Sequence, residues 1–224
     1  MPESTTAPEP APTPAQALTA HGAWGTAYAT SDGPRAVILY LHGMWASPED
    51  SCPLFARAAT AHGIVVCPRG NARLADGSHY WAGGHRAIAP RLDAALTEAA
   101  ALASSAQRDR DASTGDGTLV GFSNGAAFAL QVALAEPGRW TGLVLMAMRL
   151  SLDPKKLEAA GVRRVLLAAG DLDGARAAME QEAKRLVAAG FDARYVSLGR
   201  VGHSFAPDMD AWMRDALAWV RAPR

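Results

Sequence analysis

The chain has 224 residues, 22 basic against 22 acidic side chains, and 49% hydrophobic residues. That length suits one domain with a sizeable core, and the composition excludes the apolar-poor, charge-rich pattern of disorder. Zero formal charge excludes a whole-molecule field that would gather nucleic acid or an anionic membrane surface.

Taken in chain order, the first twenty residues hold Pro2, Pro8, Pro10, Pro12 and Pro14, two acids and no base. They lack the basic start and apolar stretch of a secretory leader, so residues 1–20 are expected to be an extended or disordered tail ahead of a single domain at 21–224. A cytoplasmic home is expected, or a secreted one if a leader has already been removed. No apolar run approaches the roughly 18 residues a membrane-crossing helix needs, so no span is expected.

From residue 23 onward, short apolar runs alternate with longer Ala-rich stretches of helical period, the pattern of an α/β protein whose mostly parallel sheet is covered on both faces. A weak strand at Ala23–Thr30 and a clear one at Ala36–Leu41 precede a helix over Pro53–Ala61 and a strand at Ile64–Cys67. A long loop, Gly70–Gly84, leads to a helix over Ala87–Ser104 and a polar connection, Gln107–Gly117. Then come a strand at Thr118–Gly121, a helix over Asn124–Ala135 ended by Pro137, and strands at Trp140–Ala147 and Val162–Ala169. A helix over Ala175–Ala189 stops at Gly190, and a strand at Ala193–Leu198 and a helix over Pro207–Arg221 complete the pattern. About six to seven strands are expected, several uninterruptedly apolar because both their faces are buried.

Cys52 and Cys67 do not make a disulfide framework, and neither sits at zinc-ligand spacing. Two buried thiols and one bridge at a sheet edge both fit, since spacing alone does not set their separation. No metal site is expected.

The chemistry concentrates in Thr118-Leu-Val-Gly-Phe-Ser-Asn-Gly-Ala, a strand, then Gly-x-Ser-x-Gly, then a helix. Small residues at 121 and 125 allow the sharp turn that exposes Ser123 as a nucleophile. A serine hydroxyl needs a base, and His203, in Gly-His-Ser-Phe after the last strand, is the histidine that follows the serine in chain order. The orienting acid is expected after the preceding strand, where Gly170-Asp-Leu-Asp offers Asp173 and, second, Asp171. An acyl transfer also needs oxyanion donors: the Asn124 amide, and one from Leu41-His-Gly-Met-Trp, either Met44 or Trp45. His42 reads as a structural histidine bonded to loop backbone. A phosphate-cradling Gly-x-x-x-x-Gly-Lys-Ser/Thr loop is lacking, as is a Gly-x-Gly-x-x-Gly motif at the first strand-helix turn, which disfavours phosphoryl transfer and nicotinamide chemistry.

Strand-His-Gly, Gly-x-Ser-x-Gly, Gly-x-x-Asp and Gly-His-Ser-Phe, spread over about residues 36–222, resemble the α/β-hydrolase superfamily. With too little chain between 147 and 162 for a large cap, the sequence is similar to the small carboxylesterase, acyl-protein thioesterase and dienelactone-hydrolase branch. Gly-Ala-Arg follows Asp173 where that branch often has Val-Pro, and Ser123 stands where dienelactone hydrolases carry cysteine. The resemblance implies a cofactor-free hydrolase with an open cleft, a small-molecule ester substrate, and a monomer or homodimer. Acyl transfer or peptide cleavage by the same residues, or a non-catalytic binding module on the same frame, are the rival readings. The cleft walls are expected to use Trp45, Trp81 and Phe205, with Met44 and Met148, as an apolar acyl or aryl pocket. Arg69 and Arg149 are candidates for a substrate carboxylate, and Asn71 and His79 for a polar leaving group.

Overall fold

Alternation along the strands decides which residues face which layer. In the computed structural model, which describes residues 17–30, 33, 36–106 and 116–223, Leu39, Leu41, Leu119, Leu143, Leu145, Val165 and Leu167 share one buried face of the sheet. Their neighbours Ile38, Tyr40, Val120, Val144, Met146, Leu166 and Ala168 share the other. A period of two therefore builds two cores on one sheet, each closed by helices.

The amino-terminal elements are β1 (Ala17–Gly22), β2 (Gly25–Thr30) and β3 (Val37–Leu41). Next come the short helices α1 (Pro48–Ser51) and α2 (Ala56–Ala59), with a tight turn at Cys52–Leu54 between them, and then β4 (Ile64–Pro68). A two-residue hairpin, β5 (Ala72–Arg73) and β6 (His79–Tyr80), precedes the long helix α3 (His85–Ala106). The central unit is β7 (Gly117–Phe122), α4 (Asn124–Ala135) and β8 (Trp140–Met146). It is followed by α5 (Pro154–Ala159), β9 (Arg164–Ala169), α6 (Arg176–Ala188), β10 (Ala193–Ser197) and α7 (Met209–Val220).

Eight strands form the main sheet in the order β1-β2-β4-β3-β7-β8-β9-β10. From β4 to β10 every neighbour is parallel, while β2 runs antiparallel to both β1 and β4. The sheet is wider than the sequence suggests because residues 17–20, expected in the tail, belong to β1, which pairs with β2 from Ala17↔Thr30 to Gly22↔Gly25. Residues 1–16, and 107–115 of the expected polar connection, lie outside the described residues.

Helices α3, α4 and α6 pack on one face through Ile88, Leu92, Ala129, Val132, Met179 and Leu186. Phe55, Met213, Leu217 and Val220, from the α1–α2 segment and α7, cover the other. The single helix expected over Pro53–Ala61 is broken into short pieces. Ser47 caps α1, its hydroxyl accepting from Asp50 N at 3.2 Å and donating to Asp50 Oδ2 at 2.6 Å, and Pro53, which has no N–H, prevents that helix from continuing. Helix α5 was not expected from the sequence; Asp153 caps it by accepting from Lys155 N and Lys156 N, with Pro154 in the first turn. This six-residue helix is the only one between β8 and β9, so no large cap stands there.

Cys52 and Cys67 are joined in a disulfide, with Cα atoms 6.4 Å apart and both side chains fully buried. It ties the segment after α1 to the end of β4. Among the described residues no helix is long and apolar enough to cross a membrane, and no group of three or more potential metal ligands gathers.

Candidate active site

Ser123 stands at the end of β7 with φ 52° and ψ −120°, a left-handed backbone that a residue with a Cβ adopts only under constraint. Close backbone approach supplies the constraint. A Cβ on Gly121 would stand 2.5 Å from Ala126 Cα, and one on Gly125 only 2.0 Å from Leu41 O, so glycine at both positions lets α4 start directly behind the serine. Ser123 N donates to Met146 O at 2.8 Å and Ala126 N donates to Ser123 O at 2.9 Å, which hold the turn from both sides.

Three candidate side chains from three loops then meet. His203 Nε2 lies 2.9 Å from Ser123 Oγ, and His203 Nδ1 lies 2.9 Å from Asp173 Oδ2. With the carboxylate accepting the Nδ1 proton, Nε2 is left to accept the serine hydroxyl proton; hydrogen positions follow here from the network of partners. The Asp173 side chain is 4% exposed, and its other oxygen accepts from Ala175 N at 2.8 Å, so the carboxylate is held at both ends. The His203 side chain is 53% exposed, at the mouth of the site, with the Phe122 ring 5.3 Å away and Phe205 stacked on Phe122 at 4.4 Å.

Asp171, the second candidate acid, is occupied elsewhere. Its Oδ1 accepts from Ser197 Oγ at 2.7 Å, Ser197 Oγ accepts from Gly199 N at 2.9 Å, and Asp171 N donates to Gly199 O at 2.8 Å. These bonds, with Leu172 N donating to Val201 O at 3.0 Å, tie the loop carrying Asp173 to the loop carrying His203. Nothing in the local sequence announces this tie, because its partners are about 26 residues apart.

The chain after β3 lies against the nucleophile: a Cβ on Gly43 would be 3.2 Å from Phe122 Cδ1 and 3.5 Å from Ser123 Cβ. His42 is fully buried; its Nε2 accepts from Gly70 N at 2.9 Å and its Nδ1 donates to Gly43 O at 2.7 Å, as expected of a structural histidine. Burial pushes its pKa down to about 4, with the neighbouring His79 and Arg69 charges adding to the effect and the hydrogen bond to Gly43 O, then Glu49, opposing it. Met44 and Trp45 follow at 37% and 69% exposure, Trp45 at φ 59°. Neither Met44 N nor Asn124 N is hydrogen-bonded to another group among the described residues.

Several expected substrate contacts are placed differently. Trp81 does not line the cleft: it is 1% exposed in the core, its N–H donating to Asn124 Oδ1 at 2.8 Å and its indole N–H to His42 O at 3.0 Å. A loop that docks on the sheet buries its largest apolar ring, and the indole then needs an acceptor. Arg69 is paired with Glu49, so its charge is already matched. Asn71 closes its own loop, accepting from Ala82 N at 3.0 Å and donating to Ala82 O at 3.1 Å, and is not free for a leaving group. Arg149 is exposed and braces the acid loop, Nη2 donating to Gly174 O at 2.8 Å. Met148 is half-buried, with its N–H on Met179 Sδ. His79 N donates to Ala46 O, which fastens the β5–β6 hairpin to the chain after Trp45. Leu172, 68% exposed between the two aspartates, is an apolar side chain beside the site that sequence reasoning passed over.

The same architecture recurs among solved structures. Esterase PE8 is 24% identical over 92% of this chain and 99% of its own, with TM-score 0.64. A fluorophosphonate-binding serine hydrolase, FphF of Staphylococcus aureus, is 14% identical over 94% and 100%, with TM-score 0.61. A carboxylesterase from Mesorhizobium loti is 23% identical over 85% and 90%, with TM-score 0.54. No protein-family model matches the sequence, and a search of curated proteins found no match. The fold is that of an α/β hydrolase.

Proposed function

We propose that this chain hydrolyses esters, thioesters included, of small hydrophobic acids through an acyl-enzyme on Ser123. The observation that carries the reading is the unbroken hydrogen-bonded series Ser123 Oγ, His203 Nε2, His203 Nδ1, Asp173 Oδ2, with 2.9 Å at each junction between residues, anchored on a strained turn. Likeness in fold to structures described as esterases and serine hydrolases supports it.

In this reading His203 Nε2 takes the hydroxyl proton as Ser123 Oγ bonds to the carbonyl carbon, and Asp173 stabilises the imidazolium that results. Negative charge develops on the substrate oxygen, where the unpaired Met44 and Asn124 amides are the candidate donors. Collapse breaks the bond from the acyl carbon to the leaving oxygen or sulfur, and His203 returns the proton to it. Water, deprotonated by His203, then attacks the acyl-serine, releasing the acid and restoring the serine. The exposed apolar side chains Met44 and Trp45, on the segment of the candidate donor, and Leu172, next to Asp173, with Phe205 against Phe122, support an uncharged hydrophobic acyl or aryl group.

The test is hydrolysis of p-nitrophenyl esters of increasing acyl length by the wild type, Ser123→Ala and His203→Ala, with fluorophosphonate labelling read by intact mass. Turnover and a single label in the wild type, both lost in Ser123→Ala, are expected. A folded wild type that neither turns over nor labels overturns the reading in favour of a binding module. Product analysis with added alcohol or amine separates hydrolysis from acyl transfer.

A further inference from the structure

His42 and Trp81 are buried behind the nucleophile, yet each binds backbone that leads to a candidate oxyanion donor. Because Gly70 N donates to His42 Nε2 at 2.9 Å, the ring proton resides on Nδ1, which donates to Gly43 O at 2.7 Å. The Gly43–Met44 peptide is trans, so its C=O and N–H point in opposite directions. Holding the carbonyl on the imidazole therefore fixes the direction of Met44 N–H, one residue beyond a glycine on which a Cβ would stand 3.5 Å from Ser123 Cβ. Trp81 links this arrangement to the other donor. Its indole N–H holds His42 O at 3.0 Å, while its backbone N–H holds at 2.8 Å the side-chain oxygen of Asn124, the residue whose own amide is the second candidate donor. Asn71 in turn clamps the Ala82 backbone, keeping Trp81 in register.

We infer that His42 and Trp81 are positioning residues of the oxyanion hole, joining Gly43 and Asn124 in one hydrogen-bonded set that fixes the direction of Met44 N–H and its separation from Asn124 N–H. The inference rests on the hydrolase reading above. It assigns catalytic consequence to a ring and an indole that would otherwise be ordinary core residues. The two roles predict different things, because donors aimed at a developing charge act on the transition state and not on the bound ester.

The experiment compares the full-length wild type with Trp81→Phe, His42→Asn and His42→Gln. It reads kcat and KM on p-nitrophenyl butyrate, inhibition by an alkylboronic acid that forms a tetrahedral adduct on serine, and the melting temperature. Trp81→Phe keeps the ring and loses the indole donor; kcat is expected to fall about tenfold with KM within about twofold, and boronate affinity to fall in parallel, less than the hundredfold or more of deleting a donor outright. Asparagine keeps a donor at the δ position, whereas glutamine fills more of the ring's volume but moves its amide outward. Positioning predicts that His42→Asn retains more kcat than His42→Gln, and packing alone predicts the reverse. Equal or better activity in His42→Gln, or an unchanged kcat and boronate affinity in folded Trp81→Phe, overturns the inference. Should neither His42 variant fold, Trp81→Phe decides. A wild type without turnover or labelling sinks the hydrolase reading and this inference with it; an active wild type with unaffected variants removes the inference alone.

Discussion

Reducing the Cys52–Cys67 bridge is a perturbation that removes no side chain and adds only two thiol hydrogens. The bridge closes a 15-residue separation. In the chain-entropy account, a loop of that length removes about 10 cal/mol/K from the unfolded ensemble, or about 3 kcal/mol at 25 °C. With an unfolding entropy of about 2.1 cal/mol/K per residue over this chain, 3 kcal/mol corresponds to a fall in melting temperature of about 6 °C. The segments it staples also matter to the site: one follows the loop of Met44 and Trp45, and the other runs into Arg69 and Gly70, whose amide holds His42. Both cysteines pack with Tyr40, Phe55 and Val65, so the bridge sits inside the smaller core and resists reduction until the chain opens. The assay is calorimetry on oxidised protein and on protein unfolded, reduced and refolded with reductant present, with ester turnover measured on both. Melting temperatures within about 1 °C of each other would refute the entropic argument. Two free thiols in the denatured, unreduced protein would refute the bridge itself. Since buried bridges persist where thiols are kept oxidised, thiol trapping after expression in a reducing cytoplasm and in an oxidising compartment also tests the expectation of a cytoplasmic home.

Asp173→Asn is expected to lower kcat by about 10⁴ by letting His203 take the wrong tautomer, while Asp171→Asn, which retains an acceptor for Ser197, changes it by less than about tenfold; steady-state kinetics on the two variants separate the acids. His42, buried with its pKa lowered from 6.5 to about 4, gives a stability term with a definite sign. Between those values the unfolded chain binds a proton that the folded chain refuses, so stability falls as pH drops from about 6.5 towards 4, by about 2 to 3 kcal/mol between pH 7 and pH 4.5. Urea titrations at the two pH values should show that difference in the wild type and a clearly smaller one in His42→Asn. Gly125→Ala would drive a Cβ to 2.0 Å from Leu41 O, a backbone atom of a central strand that has no room to retreat; loss of soluble folded protein, or of fluorophosphonate labelling in whatever folds, is the expected outcome.

The layered α/β fold, the order of its strands along the chain and the serine, acid and histidine loops were legible in the sequence because each rests on local rules. Buried parallel strands read as short apolar runs, and a strand-turn-helix nucleophile needs small residues on both sides of Ser123. His203 and the Gly170–Asp173 turn, though not which of its two aspartates, were identifiable from the serine, acid, histidine order of the hydrolase pattern the sequence resembles. Some local signals were simply missed: Ser47-Pro48 and Asp153-Pro154 both mark helix starts, and Ala17–Gly22 carries enough alternation to pair with β2.

What the tertiary structure decided depends on partners far apart in the chain. Asp173 rather than Asp171 meets His203 because Asp171 is bound to Ser197 on the next strand, a contact across the sheet edge. Trp81 lies in a glycine-rich loop that reads as exposed, yet it is buried because that loop folds back onto Asn124 and His42, more than 35 residues away in each direction. Arg69 is matched by Glu49 and Cys52 by Cys67 for the same reason: β3 and β4 are neighbours in the sheet, which brings together the segments that follow their ends. Residue type and local spacing thus determined which groups this protein has for chemistry and where along the chain they lie. Which of them face the cleft, and which are held in pairs behind it, followed only from the packing of the sheet, because the bonds that place His42, Trp81, Asp171 and His203 run between segments far apart in the chain.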